Sequence, residues 1–167
     1  MTNTIACVEE ADVILITGSN TTENHPVLSA GVKRAVASGR ARLIVVDPRR
    51  IKIAEFAETY LRPNLGTDVA WINGMMHVII KENLHDKQFV EDRTENFEAL
   101  KAVVEKYTPE YVETITGIPA QQLMDAARLY AGAGVGSILY CMGITQHTSG
   151  TDNVKSLANL ALSLIHI

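Results

Sequence analysis

Two short runs of aliphatic and β-branched residues, Asp12-Val-Ile-Leu-Ile-Thr17 and Arg42-Leu-Ile-Val-Val-Asp47, constrain this chain more than any other feature. Neither alternates with polar residues, so each reads as a strand covered on both faces. Between them a polar loop, Ser19 to His25, leads to Pro26, which suits the first turn of a helix. Val27, Leu28, Gly31, Val32, Ala35 and Val36 then share one helical face, and Gly39 offers a C-terminal stop. Strand, helix and strand with short connections make a βαβ unit. Such a unit implies a parallel sheet with a right-handed crossover.

The rest of the chain extends this α/β pattern. Ile51 to Glu58 reads as a short helix and Thr59 to Arg62 as a weak third strand. Gly66 to Ile80 reads as a long apolar helix capped by Thr67 or Asp68. Four shorter amphipathic segments follow (86–91, 96–107, 109–115 and 119–131), each opened by Asp, Asn, Thr or Pro. They read as a helical insert between strands. Ser137 to Met142 reads as another buried strand ending at Gly143, and Thr151-Asp152 starts a last helix. The expected fold is a Rossmann-like parallel sheet with ligand loops at the carboxyl ends of its strands.

Composition narrows the partners. A chain of 167 residues that is 47% apolar is sized for one domain with a full core. Its net charge of −4, without a basic cluster, argues against a nucleic-acid partner. Cys7 and Cys141 fit no zinc or iron–sulfur spacing, and none of the five histidines is paired at helical spacing for a metal. No run is long and apolar enough for a membrane span, and the first residues lack a signal-peptide pattern. The expectation is a cytoplasmic protein without direct membrane insertion.

Four strand-end motifs are candidate ligand loops. Gly18-Ser19-Asn20 follows the first strand, where a glycine lets a phosphate approach the backbone; a plain tight turn accounts for it equally well, since the second and third glycines of the dinucleotide fingerprint are missing. Asp47-Pro48-Arg49 ends the second strand, a position suited to ribose or phosphate contacts or to a loop salt bridge. Gly66-Thr67-Asp68 caps the long helix and also offers a carboxylate to a guanine edge. Gly143-Ile-Thr145-Gln146-His147 closes the last strand with polar side chains able to bond a heterocycle; an ordinary solvated loop is the other reading. No nucleophile, base and acid can be assembled from spacing. His77, inside the apolar helix, reads as a core or boundary histidine.

Taken together, the sequence resembles the molybdopterin oxidoreductase family, and within it formate dehydrogenase catalytic subunits. The resemblance is carried by Ala11 to Asn20, Glu23-Asn-His-Pro26, Leu43 to Arg49, Arg62-Pro63 with Gly66-Thr-Asp68, Thr108-Pro-Glu110, Ile115-Thr-Gly117, Tyr140 to His147 and Gly150-Thr-Asp-Asn153. It covers nearly the whole chain and implies the formate dehydrogenase/dimethyl sulfoxide reductase-like fold. It also implies a bis(molybdopterin guanine dinucleotide) cofactor carrying molybdenum or tungsten. By that resemblance Gly18, Ser19 and Asn20 lie against the dinucleotide. Asp47, Pro48, Arg49, Gly66, Thr67 and Asp68 hold its ribose, phosphate or guanine end, and Gly143, Thr145 and Gln146 approach the pterin.

The family's iron–sulfur cysteine cluster, its metal-ligating cysteine or selenocysteine, and its arginine-containing active-site segment have no counterpart here. The expectation is therefore an internal fragment. Residues 1–162 would form the cofactor-binding domain, and residues 163–167 a tail from truncation. No catalytic residue is expected in it. The parent would oxidise formate and pass electrons to a 4Fe-4S cluster and iron–sulfur partner subunits. Two other readings stay open: a non-catalytic family module of a respiratory complex, and a different Rossmann-like nucleotide binder.

Overall fold

A computed structural model describes residues 4–163. After a turn of helix α1 (Ile5–Val8) come β1 (Val13–Thr17), α2 (Thr21–Asn24), α3 (Pro26–Ala37) and β2 (Arg42–Val46). A 3-10 turn (Lys52–Phe56) leads to β3 (Thr59–Leu61). Five helices follow: α4 (Asp68–Lys81), α5 (Lys87–Arg93), α6 (Phe97–Val104), α7 (Pro109–Thr116) and α8 (Ala120–Ala131). Then come β4 (Gly136–Tyr140), α9 (Met142–Thr145) and α10 (Gly150–Leu162).

The four strands form one parallel sheet in the order β3-β2-β1-β4. The βαβ expectation holds, and strand alternation explains its layering. Val13, Leu15, Ile44, Val46 and Leu61 point to one face, where α4, α7, α8 and α10 supply Trp71, Met75, Val112, Leu123, Tyr130 and Leu160. Ile14, Ile16, Leu43 and Val45 point to the other, against Val32 and Ala35 of α3 and Ile53 of the 3-10 turn. Neither strand face meets water, which is why both runs lack alternation.

The helical insert expected between strands lies between β3 and β4 and builds a whole layer of the core. Other expectations need correction. Within the Ser19–His25 loop, residues 21–24 close a helical turn. Within the loop after the last strand, Met142–Thr145 do the same. Polar and glycine-rich composition hides a single turn held only by local backbone bonds. Ile51 to Glu58 gives the 3-10 turn in place of an α-helix. β4 is an edge strand: Gly136 is buried, but Tyr140 is exposed. An apolar run cannot report whether a neighbour lies beyond it. On α3 the face is shifted, with Val27 fully out at 80% exposure and Ser29 buried in its place. Thr67 stands at the N-cap of α4, yet neither it nor Asp68 makes a side-chain cap; the Thr67 hydroxyl donates to Asn64 O at 2.7 Å.

His77 is buried in α4, its Nδ1 3.0 Å from the Val104 carbonyl. Ser163 closes α10, and residues 164–167 of the expected tail lie outside the described residues. No helix among the described residues is long and apolar enough to cross a membrane.

Candidate functional site

The carboxyl ends of β1 and β4 lie side by side, where the chain's path along the sheet reverses. Such a switch point is where open parallel sheets bind ligands. Gly18, just past β1, has φ +56° and no room for a side chain: a Cβ would stand 2.7 Å from Ile144 N. The Gly143 amide donates to Gly18 O at 3.0 Å. Two glycines let the backbones touch, and the contact fixes the floor of a groove. Behind it, the buried Asn153 donates from Nδ2 to Ile144 O at 2.9 Å and ties the α9 turn to α10.

The inner end of the groove is lined by Thr17, Gly18, Gly66, Asp68, Gly143 and His147. It opens past Pro48, Pro63 and Asn64 into an outer cleft of about 510 Å³ flanked by Arg49, Arg62, Leu65 and Gly117. So Gly18, Pro48, Arg49, Gly66, Asp68 and Gly143, chosen from sequence, share one continuous concavity. Arg62 Nε donates to Pro48 O at 3.0 Å and joins the ends of β2 and β3 across the cleft.

The remaining chosen residues stand differently. Asp47 is buried and does not line the groove. Its Oδ1 accepts the Arg49 amide at 2.8 Å, and the Tyr60 hydroxyl donates to its carbonyl at 3.0 Å. Burial pushes its carboxyl above the usual range, although the Arg49 amide and guanidinium pull the other way; the nearby Asp68 pushes it up further. Asp47 thus shapes the loop that carries Pro48 and Arg49. Ser19 is buried and does not line the groove. Asn20 donates from Nδ2 to Glu23 at 2.9 Å, while its Oδ1 is buried without a hydrogen-bond partner, as is Thr21 Oγ1. Thr145 and Gln146 are exposed on the α9 turn, with the Gln146 amide against Met142 Sδ at 3.4 Å.

Sequence reasoning did not place Arg62, Pro63, Asn64, Leu65 or Gly117 among the site residues, and named His147 only as part of the Gly143–His147 loop. The signal for the first four was positional, since they follow β3 directly. Gly117 is brought in by tertiary packing alone, with Asn64 Nδ2 donating to Ile115 O at 3.1 Å. Among the described residues no cluster of His, Cys, Asp and Glu has the arrangement of a metal site.

This geometry defines a class: an open parallel α/β domain whose groove offers glycine backbone, one carboxylate and two guanidiniums at its strand ends. The chain belongs to the molybdopterin oxidoreductase family, whose model matches residues 1–167. It is 51% identical over 162 residues to the F420-dependent formate dehydrogenase subunit alpha of Methanocaldococcus jannaschii, covering 97% of this chain and 24% of that protein. It is 43% identical to formate dehydrogenase H of Escherichia coli, covering 97% of this chain and 22% of that one. Among solved structures, acetylene hydratase from Pelobacter acetylenicus superposes with a TM-score of 0.87 at 33% identity, over 96% of this chain and 22% of that one. The chain therefore spans about a quarter of the length of the curated relatives it matches.

Proposed function

We propose that the groove holds the guanine dinucleotide end of a molybdopterin cofactor, within a longer protein that oxidises formate to carbon dioxide. The observation that carries this reading is the placement of Asp68 and of Arg49 and Arg62 along one cleft. Guanine presents two adjacent donors, N1–H and the N2 amino group, beside two acceptors, O6 and N7. A carboxylate suits the first pair and a guanidinium the second. Adenine offers no such pattern.

The residues present fit the rest of the group. Gly18 and Gly143 line the inner end of the groove with backbone alone, their Cβ positions being filled by each other, so a diphosphate would meet main chain there. Two and three residues past Gly18, Asn20 Oδ1 and Thr21 Oγ1 are buried without a hydrogen-bond partner, the first an acceptor suited to a ribose hydroxyl. Thr145 and Gln146 stand beyond Gly143 on the pterin side. When bound, the cofactor supplies the metal that accepts two electrons from formate. This chain's residues bind and orient it, and none of them takes part in the chemistry.

The reaction class rests on the formate dehydrogenases at 43–51% identity. The fold alone is shared with an acetylene hydratase. Electrons would leave through iron–sulfur clusters in the rest of the protein and its partner subunits, and the cytoplasm is the proposed location.

Titration of the chain with GMP, IMP and AMP tests the reading. GMP should bind about tenfold more tightly than AMP, with IMP between them, and Asp68→Asn should erase the difference. Equal affinities for GMP and AMP would overturn it. The chain alone should show no molybdenum-dependent formate oxidation; such activity would contradict the purely positioning role.

A further inference from the structure

His147 lies at the junction between the Gly18–Gly143 floor and Asp68, and no feature of the cofactor reading uses it. Its Nε2 stands 2.8 Å from Gly143 O. A carbonyl only accepts, so Nε2 carries the proton and the tautomer is set. The carbonyl belongs to backbone packed directly on Gly18, where a Cβ on Gly143 would stand 2.7 Å from Gly18 Cα. The imidazole is therefore anchored to the closely packed Gly18–Gly143 floor.

The same Nε2 is 4.0 Å from Asp68 Oδ2, too long for a hydrogen bond, and its N–H is donated to Gly143 O, so Oδ2 meets only the positive edge of the polarised ring. The other oxygen, Oδ1, accepts Trp71 Nε1–H at a long 3.4 Å. Asp68 thus has one loose N–H partner on Oδ1 and the edge of the His147 ring beside Oδ2. Its side chain is 14% exposed and that of His147 31%, so Asp68 is the shielded partner and His147 stands at the groove's open side.

We propose that His147 is a positioning residue for Asp68. Pinned by Gly143 O, it holds Oδ2 turned into the groove, where the carboxylate selects a ligand edge with two adjacent donors. This rests on the guanine reading for its ligand, but the His147–Asp68 relationship does not. His147 touches no reacting atom; it acts through Asp68.

Two variants separate its donor from its ring. His147→Phe keeps a ring of similar shape without the donor. His147→Gln keeps a donor near the Nε2 position. GMP affinity should fall about fivefold in His147→Phe with AMP unchanged, and return toward wild type in His147→Gln. In an Asp68→Asn background, His147→Phe should have no further effect.

A second readout needs no nucleotide. Trp71 is the sole tryptophan, so its indole N–H gives one resonance that reports the Asp68 carboxylate. That resonance should move in His147→Phe and stay in place in His147→Gln. A third readout needs no variant: long-range 1H–15N spectra of the wild type should show His147 protonated at Nε2.

The proposal fails if the indole resonance is unmoved in His147→Phe, if GMP and AMP weaken together, or if His147 is found as the Nδ1–H tautomer. Absence of GMP binding in the wild type, with the indole response as predicted, would remove the guanine reading and leave the positioning role standing.

Discussion

Gly143 lies backbone to backbone with Gly18: its amide donates to the Gly18 carbonyl at 3.0 Å, and a Cβ on it would stand 2.6 Å from that oxygen. The contact joins the ends of two adjacent parallel strands at the switch point of the sheet. It fixes the groove floor and, through Gly143 O, the ring of His147.

Gly143→Ala should therefore destabilise the fold by about 2–3 kcal/mol, since backbone on both sides cannot move aside. Gly39→Ala is the comparison. Gly39 has φ +76° and open space for 4 Å around the position its Cβ would take, so only backbone strain opposes the change, at about 1 kcal/mol. Urea denaturation of both variants checks the order; a Gly39→Ala cost equal to that of Gly143→Ala would show that close approach is not what requires glycine.

Asp47 links stability to pH. Burial raises its folded-state pKa above the unfolded value, so the folded state binds the extra proton more readily. Its favourable contribution is present at acid pH and lost as pH rises through the raised folded pKa. Asp47→Asn keeps an acceptor for the Arg49 amide without the buried charge. The variant should have the higher urea midpoint at pH 7, and its advantage should shrink as pH falls into the carboxylate range. An advantage that grows toward acid would reverse the sign of this account.

Asn20→Ala should leave stability within about 0.5 kcal/mol, because it removes an exposed bond to Glu23 together with a buried acceptor that has no hydrogen-bond partner. Affinity for GDP should nevertheless fall about fivefold. Thermal melts beside calorimetric titration separate the two effects. A large loss of stability with unchanged GDP affinity would make Asn20 a purely structural residue.

Arg49→Gln should be silent in thermal melts, since the Arg49 side chain is 73% exposed and only 3.8 Å from Asp47 as an ion pair. GMP binding should weaken about fivefold and become less sensitive to salt. Unchanged affinity and salt dependence would take Arg49 out of the site.

Much of this was legible from residues alone. The apolar runs at 12–17 and 42–47 specify strands covered on both faces, and β1 and β2 are that. The strand-end rule then placed Gly18, Pro48, Arg49, Gly66, Asp68 and Gly143, which the fold gathers into one groove. What stayed hidden depends on distant contacts. Gly117 reaches the cleft because Asn64 bonds the end of α7, a relationship spanning 51 positions. The edge position of β4 and the burial of Ser29 are set by neighbours that local sequence does not encode. His147 was visible as a polar loop residue, but its pairing with Gly143 O and its approach to Asp68 need the α9 turn to be built first.

The central claim is that this groove reads guanine, and a crystal structure of the chain with GDP tests it most directly. The base should lie between Pro48 and Arg49 on one side and Pro63 to Leu65 on the other. Its N1–H and N2 amino group should meet Asp68, and its phosphates should point toward Gly18. A nucleotide bound the other way round, with phosphates on Arg49 and Arg62 and no base edge on Asp68, would contradict it.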